Sequence, residues 1–363
     1  MGDIMKRIGW LLMGGLMMAG AMATDAAERY PGAKDGQAVI RDFRFNSGEV
    51  MPALTIGYTT LGEPRRDAQG RIANAVLLLH GTTGSAKNWF LPGMAKHLYG
   101  PGQPLDISRY YLIIPDGIGL GRSSKPSDGL RARFPRYGYR DMVNANYRLL
   151  TEALHVDHVR AVVGTSMGGM QTWLFAEQYP DFMDGAVALA SSPTPVSGRN
   201  MMWREILIAS IRDSADWQGG DYREPPASFL RTWPLFAVMT DSATHLQALA
   251  PTREQAVAHD RALSEAARQL DANDVLYRFE ASADYHPEAD LEKIRAPFLA
   301  INFADDLLNP VELQALPQAM PRVRQGTYLL LSPNPSFGHQ NLGQAAAWGP
   351  AVADFLARLP ERP

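Results

Sequence analysis

The chain has 363 residues, of which 46% are hydrophobic and 20% are charged, with a formal net charge of −3 and no cysteine. Such a chain can bury a large core and forms one large domain or two. The near-neutral charge argues against a nucleic-acid partner, because such proteins usually carry a basic patch. The lack of cysteine rules out disulfides, zinc-thiolate sites, iron–sulfur clusters and a thiol nucleophile.

The first 23 residues have the layout of a secretory signal peptide. Lys6 and Arg7 precede an apolar stretch over residues 8–22, and Ala21 and Ala23 place small residues at both positions that determine cleavage. This stretch is shorter than the roughly 20 apolar residues that span a bilayer, which argues against a membrane anchor. We therefore expect cleavage after Ala23, a periplasmic or secreted protein, and no stable membrane insertion of the mature chain.

Beyond the leader, strand and helix patterns alternate. Alternating segments at residues 39–45 and 54–61 predict two strands. Continuous apolar runs predict six strands buried on both faces, at residues 75–79, 110–114, 159–163, 186–190, 298–302 and 327–331. Helical patterns cover residues 141–154, 167–179 and 344–359. This alternation predicts an α/β fold with a mostly parallel central sheet and helices on both faces.

The alternation stops between Pro193 and Glu292. This segment has helical patterns at residues 200–212 and 252–270 and no convincing strand, although it lies between two predicted strands. We expect a helical lid over residues 193–292, inserted between core segments 24–192 and 293–363. Its large apolar residues either line a substrate cavity or form the lid's own small core; they are Trp203, Phe229, Trp233, Phe236 and Met239.

A candidate nucleophile lies where the strand at residues 159–163 gives way to a helix. The connection reads Gly164-Thr165-Ser166-Met167-Gly168. A G-x-S-x-G pattern between a strand and a helix is typical of a nucleophile elbow, a strained turn that exposes the serine at the carboxyl edge of the sheet. The amide of Met167 would then face a developing oxyanion. The pattern predicts that Ser166 is a catalytic nucleophile.

A candidate acid and a candidate base follow the last two strands. In this fold class the order along the chain is nucleophile, acid, histidine. Asp305 and Asp306 follow the strand at residues 298–302, and His339 follows the final strand. We expect His339 to be the general base and Asp306, four residues before Pro310, to orient it. Asp305 is the alternative acid.

The loop after the strand at residues 75–79 is the candidate second part of an oxyanion hole. It reads His80-Gly81-Thr82-Thr83-Gly84-Ser85. Glycine and small hydroxyl residues let the backbone amide of Thr82 turn inward as a second donor, with help from the Thr83 side chain. His80 in the same loop is expected to brace it.

No cofactor or metal is expected. The stretch from Gly117 to Gly121 fails the dinucleotide-binding pattern, since its sixth position is Arg122 instead of glycine or alanine. No cluster of histidine, aspartate and glutamate has the spacing of metal ligands. The expected partner is a small-molecule ester, and a homodimer is left open.

Several stretches together resemble the homoserine O-acetyltransferase branch of the α/β-hydrolase superfamily. They lie at residues 74–85, 140–143, 166–171, 216–222 and 306–310, and Ser-Met-Gly-Gly-Met-Gln at 166–171 is the most specific. The resemblance spans nearly the whole mature chain. It implies the α/β-hydrolase fold with an inserted helical lid that selects the acyl acceptor. By position it places the nucleophile, acid and base on Ser166, Asp306 and His339, and the oxyanion amides on Thr82 and Met167.

Two departures from this family bear on function. Members that bind homoserine typically carry an arginine in the first lid helix to hold the carboxylate, and that position here is Ile208; Arg204 and Arg212 each lie a full helical turn away. Loss of such a bond costs about 1.5–3 kcal/mol. An exported enzyme would also not meet acetyl-CoA, the acyl donor of the family.

Both departures favour hydrolysis. We expect an exported serine hydrolase that cleaves a small carboxylic ester through an acyl-serine intermediate. The alternative is an acyltransferase that uses an acyl-CoA donor and homoserine or another alcohol. A non-catalytic binding protein on the same fold is a third interpretation. Classes with an aspartate nucleophile do not fit, because Ser166 occupies the elbow.

Overall fold

A sheet of eight strands forms the centre of the fold in the computed structural model, which describes residues 30–360. The predicted signal peptide lies outside the described residues. The strands are β1 (Lys34–Arg44), β2 (Val50–Leu61), β3 (Ala75–Leu79), β4 (Tyr111–Pro115), β5 (Ala161–Thr165), β6 (Ala186–Leu189), β7 (Phe298–Phe303) and β8 (Gly326–Leu331). The predicted α/β fold with a mostly parallel sheet is confirmed.

The order of the strands brings several loops to one edge of the sheet. It runs β1-β2-β4-β3-β5-β6-β7-β8. β2 pairs antiparallel with both β1 and β4, and all other neighbours are parallel. The carboxyl ends of β3, β5, β7 and β8 therefore meet at the same edge, where ligands bind in open α/β sheets.

Two layers of apolar side chains cover the two faces of the sheet. Along β3, Leu77 and Leu79 belong to one buried cluster, whereas Val76 and Leu78 belong to the other. Successive residues of a strand point to opposite faces, so a strand covered on both sides needs an apolar residue at every position. This explains why the central strands are continuous apolar runs in the sequence.

Helices pack on both faces of the sheet. They are α1 (Pro92–Leu98), α2 (Tyr139–Arg148), α3 (Met167–Gln178), α4 (Gly198–Arg212), α5 (Ala227–Thr232), α6 (Pro234–Thr240), α7 (Ala243–Leu249), α8 (Arg253–Ala266), α9 (Ala272–Glu280), α10 (Ala315–Ala319) and α11 (Ala345–Ala357). Helix α2 continues into a π-helical turn at Leu149–Ala153. Among the helices of residues 30–360, none is both long and apolar enough to cross a membrane.

Residues 190–297, between β6 and β7, contain α4 to α9 and no strand of the sheet. We call this segment the helical insertion. Its first and last long helices pack together: the Trp203 ring meets the Phe279 ring edge-on, with centroids 5.5 Å apart. Glu280 forms ion pairs with both Arg212 of α4 and Arg136 of the core. Glu280 thus joins the two long helices of the insertion to each other through Arg212 and to the core through Arg136.

Candidate active site

Ser166 lies in the sharp turn between β5 and α3. Its backbone has φ 54° and ψ −115°, a conformation that residues with a side chain rarely adopt. A Cβ at Gly164 would lie 2.0 Å from the carbonyl oxygen of Gly168, and a Cβ at Gly168 would lie 2.2 Å from that of Leu79. The spacing of the motif is therefore a packing requirement, because only glycine fits two residues to either side of Ser166.

Three predicted site residues from distant parts of the chain come together at this turn. The imidazole of His339 places Nε2 2.7 Å from Ser166 Oγ and Nδ1 2.7 Å from Asp306 Oδ2. Asp306 and His339 are buried, and Ser166 is half-buried. This is the geometry in which a histidine takes a proton from a serine while a carboxylate orients it.

The carboxylate of Asp306 is held in its ionised form. Burial alone would raise the pKa of Asp306, but the charge of His339 and hydrogen bonds from His339, Asn309 and Leu308 outweigh it and lower the pKa. The Leu308 amide donates at 2.8 Å to Oδ1, and Asn309 Nδ2 donates at 2.9 Å to Oδ2. With Nδ1–H donating a hydrogen bond to Asp306, Nε2 carries no proton and can accept the proton of Ser166.

Asn309 contacts the candidate acid, and the sequence interpretation did not single it out. Its Nδ2 donates both to Asp306 and, at 3.0 Å, to the carbonyl of Ala190 at the end of β6. Its Oδ1 accepts a hydrogen bond from Ser192 at 3.2 Å. Asn309 thus ties the acid to the neighbouring strand end. The available signal was its place between Asp306 and Pro310 in the loop after β7.

The loop that carries His339 rests on the helical insertion. We call residues 336–341 the His339 loop. The Ser242 hydroxyl donates to the carbonyl of Ser336 at 2.8 Å, and Gln340 Nε2 donates to the hydroxyl of Thr240 at 2.9 Å. Thr240 and Ser242 are both buried. The position of the imidazole therefore depends on contacts with the insertion as well as on the sheet.

His80 holds the predicted oxyanion loop in place. Its Nε2 accepts a hydrogen bond from the amide of Gly117 at 3.0 Å, so Nδ1 carries the proton and donates to the carbonyl of Gly81 at 2.8 Å. Burial lowers the pKa of His80, which keeps the ring neutral and suited to both bonds. Because Gly81 approaches Ser166 so closely that its Cβ would lie 3.4 Å from Ser166 Cβ, the next residue, Thr82, is placed beside the serine.

Met167 is the first residue of α3, directly after Ser166. The first amides of a helix have no partner within it and attract negative charge. Met170 already donates to the carbonyl of Ser166 at 2.9 Å. The two predicted oxyanion residues therefore both lie beside Ser166, Thr82 in the loop after β3 and Met167 at the start of α3.

A cavity of about 110 Å³ opens on Ser166 and His339. Of the five large apolar residues noted in the insertion, Trp203 and Phe236 line it. Trp233 stacks on Phe236 with centroids 5.3 Å apart, and Phe229 packs on Trp233. These residues thus divide between cavity wall and insertion core. The remaining lining residues include Gly81, Thr82, Thr83, Gly84, Asn88, Leu91, Met94, Arg204, Thr240, Leu308, Gln340 and Leu342.

Arg204 of α4 lines this cavity, although the sequence pattern pointed away from it. Ile208, the position to which the family resemblance assigns a carboxylate-binding arginine, is buried in the apolar core. Arg212, one turn further on, pairs with Glu280. Position 208 is isoleucine, as noted from the sequence, but the face of α4 that turns to the cavity presents Arg204.

Residues 74–328 match the family of the alpha/beta hydrolase fold, and the chain belongs to that family of enzymes. It is 37% identical over 198 residues to a homoserine O-acetyltransferase of Pelobacter propionicus, a match that covers 50% of this chain and 52% of the relative. The chain thus spans about half the length of this curated relative. A probable acyltransferase of Methanothermobacter thermautotrophicus is 29% identical over 318 residues, covering 87% of this chain and 96% of the relative.

Solved structures show the same fold. The acetyl esterase MekB superposes with a TM-score of 0.76 at 24% identity, over 89% of this chain and 97% of that one. A homoserine O-acetyltransferase from Bacillus anthracis superposes with a TM-score of 0.78 at 18% identity, over 91% and 99%. The predicted resemblance to the homoserine O-acetyltransferase-like branch is confirmed, and this branch of similar structures includes both esterases and acyltransferases.

Proposed function

We propose that this protein is an exported serine hydrolase that cleaves a small carboxylic ester through an acyl-serine intermediate. The observation that carries the proposal is the hydrogen-bonded series Ser166, His339 and Asp306, with 2.7 Å at both contacts, open to a cavity of about 110 Å³. A serine whose proton is shared with a histidine oriented by a buried carboxylate is an activated nucleophile.

The first half of the reaction forms the acyl-enzyme. Ser166 Oγ attacks the ester carbonyl carbon while His339 Nε2 takes the hydroxyl proton. The carbonyl oxygen gains negative charge, and the amides of Thr82 and Met167 stabilise it. The tetrahedral intermediate then expels the alcohol, which leaves with the proton that His339 held. Asp306 stabilises the imidazolium in between.

The second half returns the enzyme to its starting state. His339 takes a proton from water as the water oxygen attacks the acyl carbon, and the second tetrahedral intermediate uses the same two amides. Collapse releases the carboxylic acid and gives the proton back to Ser166. The predicted leader favours water over an acyl-CoA-dependent transfer, because an exported enzyme does not meet that donor.

The second candidate is an acyltransferase with an acyl-CoA donor. It is supported by the names of the curated relatives and by Arg204, which puts a positive charge in the cavity where an acceptor carboxylate would bind. The chemistry up to the acyl-enzyme is the same, so only the second nucleophile separates the two candidates.

Two assays test the proposal. Purified mature protein should release 4-nitrophenol from 4-nitrophenyl acetate at a rate that added homoserine and other alcohols leave unchanged, and Ser166→Ala should abolish the release. Activity retained in Ser166→Ala would overturn the mechanism. Release of coenzyme A from acetyl-CoA that depends on homoserine would establish the acyltransferase instead.

Fractionation tests the export. Expressed in a bacterial host with two membranes, the protein should appear in the periplasmic fraction with Thr24 as its first residue. Full-length protein confined to the cytosol would contradict export and would remove the main reason to prefer water as the second nucleophile.

A further inference from the structure

Arg204 is a buried positive charge in the wall of the candidate active site. The residue is 3% exposed, and it lines the same cavity as Ser166 and His339. Its Nε donates to the side-chain oxygen of Asn200 at 3.0 Å, but its Nη1 is fully buried and has no hydrogen-bond partner among the described residues. A buried guanidinium with a free donor is expensive unless an anion binds it.

The neighbours of Arg204 do not neutralise its charge. The centroids of the Trp203 and Phe279 rings lie 5.2 and 5.4 Å from the guanidinium carbon; these cation–π contacts stabilise the charge but supply no counter-charge. Tyr139 lies close by, but burial raises the pKa of its hydroxyl and outweighs the opposing charge of Arg204, so the phenol stays neutral. Within residues 30–360, no carboxylate forms an ion pair with Arg204.

The charged residues of the cavity lining are basic and not acidic. It contains Arg204 and His339 but no aspartate or glutamate among the residues that the structure describes. The nearest catalytic carboxylate, Asp306, is committed to His339, Asn309 and Leu308. The cavity therefore suits a ligand with a negative charge, and its described lining has no carboxylate that would balance the charge of an ammonium group.

We propose that the ester cleaved by this enzyme carries a carboxylate but no ammonium group, and that Arg204 binds that carboxylate. This inference rests on the proposed hydrolase function and adds the substrate class to it. The planar guanidinium can meet a carboxylate with two parallel hydrogen bonds, which fixes the ester relative to Ser166 as well as attracting it. The assignment belongs to Arg204, since it is the only arginine or lysine in the cavity lining among the residues that the structure describes.

Matched substrates test the charge rule directly. The first set has the charge on the alcohol side: 4-acetoxybutanoate, its neutral amide 4-acetoxybutanamide, and the zwitterion 2-amino-4-acetoxybutanoate. The second has it on the acyl side: mono(4-nitrophenyl) succinate against the 4-nitrophenyl ester of succinamic acid. In one set, kcat/KM for the anion should exceed that of the amide by about ten- to hundredfold, the scale of one charge-assisted pair. The zwitterion should not surpass the anion.

Variants assign the preference to Arg204. Arg204→Met should bring the ratio of kcat/KM for the anion to kcat/KM for the amide close to one. Arg204→Lys should keep part of the preference for the anion. Arg231→Met, which removes an exposed arginine from helix α5 of the same insertion, should leave the ratio as in the unmodified protein. Thermal unfolding of each variant checks that it folds.

Binding without turnover separates this proposal from the proposed function. Calorimetric titration of Ser166→Ala protein with the preferred anionic ester should show binding that the amide lacks. If neutral esters are hydrolysed but the unmodified protein prefers the anion in neither set, the Arg204 proposal is overturned while the hydrolase stands. If Ser166→Ala binds the anion but no ester is cleaved by the unmodified protein, the proposed function fails while the anion site stands.

Discussion

Ser336 donates a 2.8 Å hydrogen bond to Asp305, which places this carboxylate beneath the His339 loop and not against the imidazole. Asn341 Nδ2 donates to the Ser336 hydroxyl at 2.9 Å and to the Gly338 carbonyl at 2.8 Å, so the same network holds both ends of the loop. The two adjacent aspartates after β7 therefore have different tasks: Asp306 contacts the histidine, and Asp305 supports the loop that presents it.

Substitution of each aspartate should separate these tasks. We expect Asp306→Asn to lower kcat/KM for 4-nitrophenyl acetate by roughly 10⁴-fold, because an amide favours the wrong imidazole tautomer. Asp305→Asn removes one hydrogen bond to a loop and should cost about tenfold or less. Steady-state kinetics of both variants on the same ester makes the comparison. A larger loss in Asp305→Asn would reverse the assignment of the acid, and losses of equal size would contradict the separate tasks.

The contact between the His339 loop and the insertion leads to a second prediction. Gly338 has φ 59°, and a Cβ there would lie 3.0 Å from the carbonyl carbon of Asp241 and from the amide of Ser242. Gly338→Ala should therefore lower the free energy of unfolding by more than the about 1–2 kcal/mol that a left-handed backbone costs a residue with a side chain. The contact with Asp241 should also displace the His339 loop and lower kcat. Urea unfolding and kinetics measure both effects.

Gly219 provides the matched control for this variant. It has φ 65°, but no atom lies within 4 Å of where its Cβ would be. Gly219→Ala should lose stability from backbone strain alone and keep its kcat. A Gly338→Ala protein that retains full kcat would show that the contact with Asp241 does not position His339.

Local patterns in the sequence were sufficient for the sheet and for the elbow. Strands buried on both faces need continuous apolar runs, and the turn at Ser166 needs glycine on both sides, so each feature leaves a signal within a few residues. The predicted ends of the strands were less accurate. β1 begins at Lys34, well before the predicted start at residue 39, since its polar residues pair with β2 along an exposed edge.

Arg204 and Asn309 could not be assigned from local patterns. Arg204 reaches the cavity because α4 packs against α9 with Ile208 turned into the core, and the rotation of a helix is decided by contacts with residues about 70 positions away. Asn309, in the loop after β7, links Asp306 to the end of β6 because these two strands are neighbours in the sheet. Such relationships between strand ends exist only once the sheet is formed.

His80 should make the stability of the protein depend on pH. Burial lowers the pKa of His80 below its unfolded value of about 6.5. As the pH falls below 6.5 the unfolded state binds a proton that the folded state refuses, so the free energy of unfolding should decrease. In His80→Gln this part of the decrease should vanish, although the variant is less stable at pH 8 because one of two hydrogen bonds is lost.

Urea unfolding of the two proteins at pH 8, 7, 6 and 5 measures the difference. The gap between the unmodified protein and His80→Gln should narrow as the pH falls. A gap that stays constant over this range would mean that the ring accepts a proton in the folded state, and that its bond from the Gly117 amide is not maintained.

Glu177 should produce a dependence of the opposite sign. This glutamate lies in α3, its Oε2 is buried without a hydrogen-bond partner among the described residues, and Arg140 reaches only its Oε1, at 3.5 Å. Burial, opposed by the charge of Arg140 and reinforced by the neighbouring carboxylate of Asp290, raises the pKa of Glu177 to about 7. Between about pH 4.5 and 7 the folded state binds a proton that the unfolded state has released, so stability should fall as the pH rises through this window.

Glu177→Gln keeps the shape of the side chain and removes its titration. The free energy of unfolding of the variant minus that of the unmodified protein should increase from pH 5 to pH 8. Urea unfolding at four pH values in this range measures this difference. Glu312→Gln, at an exposed position, should follow the unmodified protein throughout. Because His80 acts in the reverse direction over an overlapping range, the two contributions partly cancel in the unmodified protein, and the difference between each single variant and the unmodified protein isolates one group. Parallel profiles for Glu177→Gln and the unmodified protein would mean that Glu177 is ionised in the fold, and that Arg140 compensates its burial.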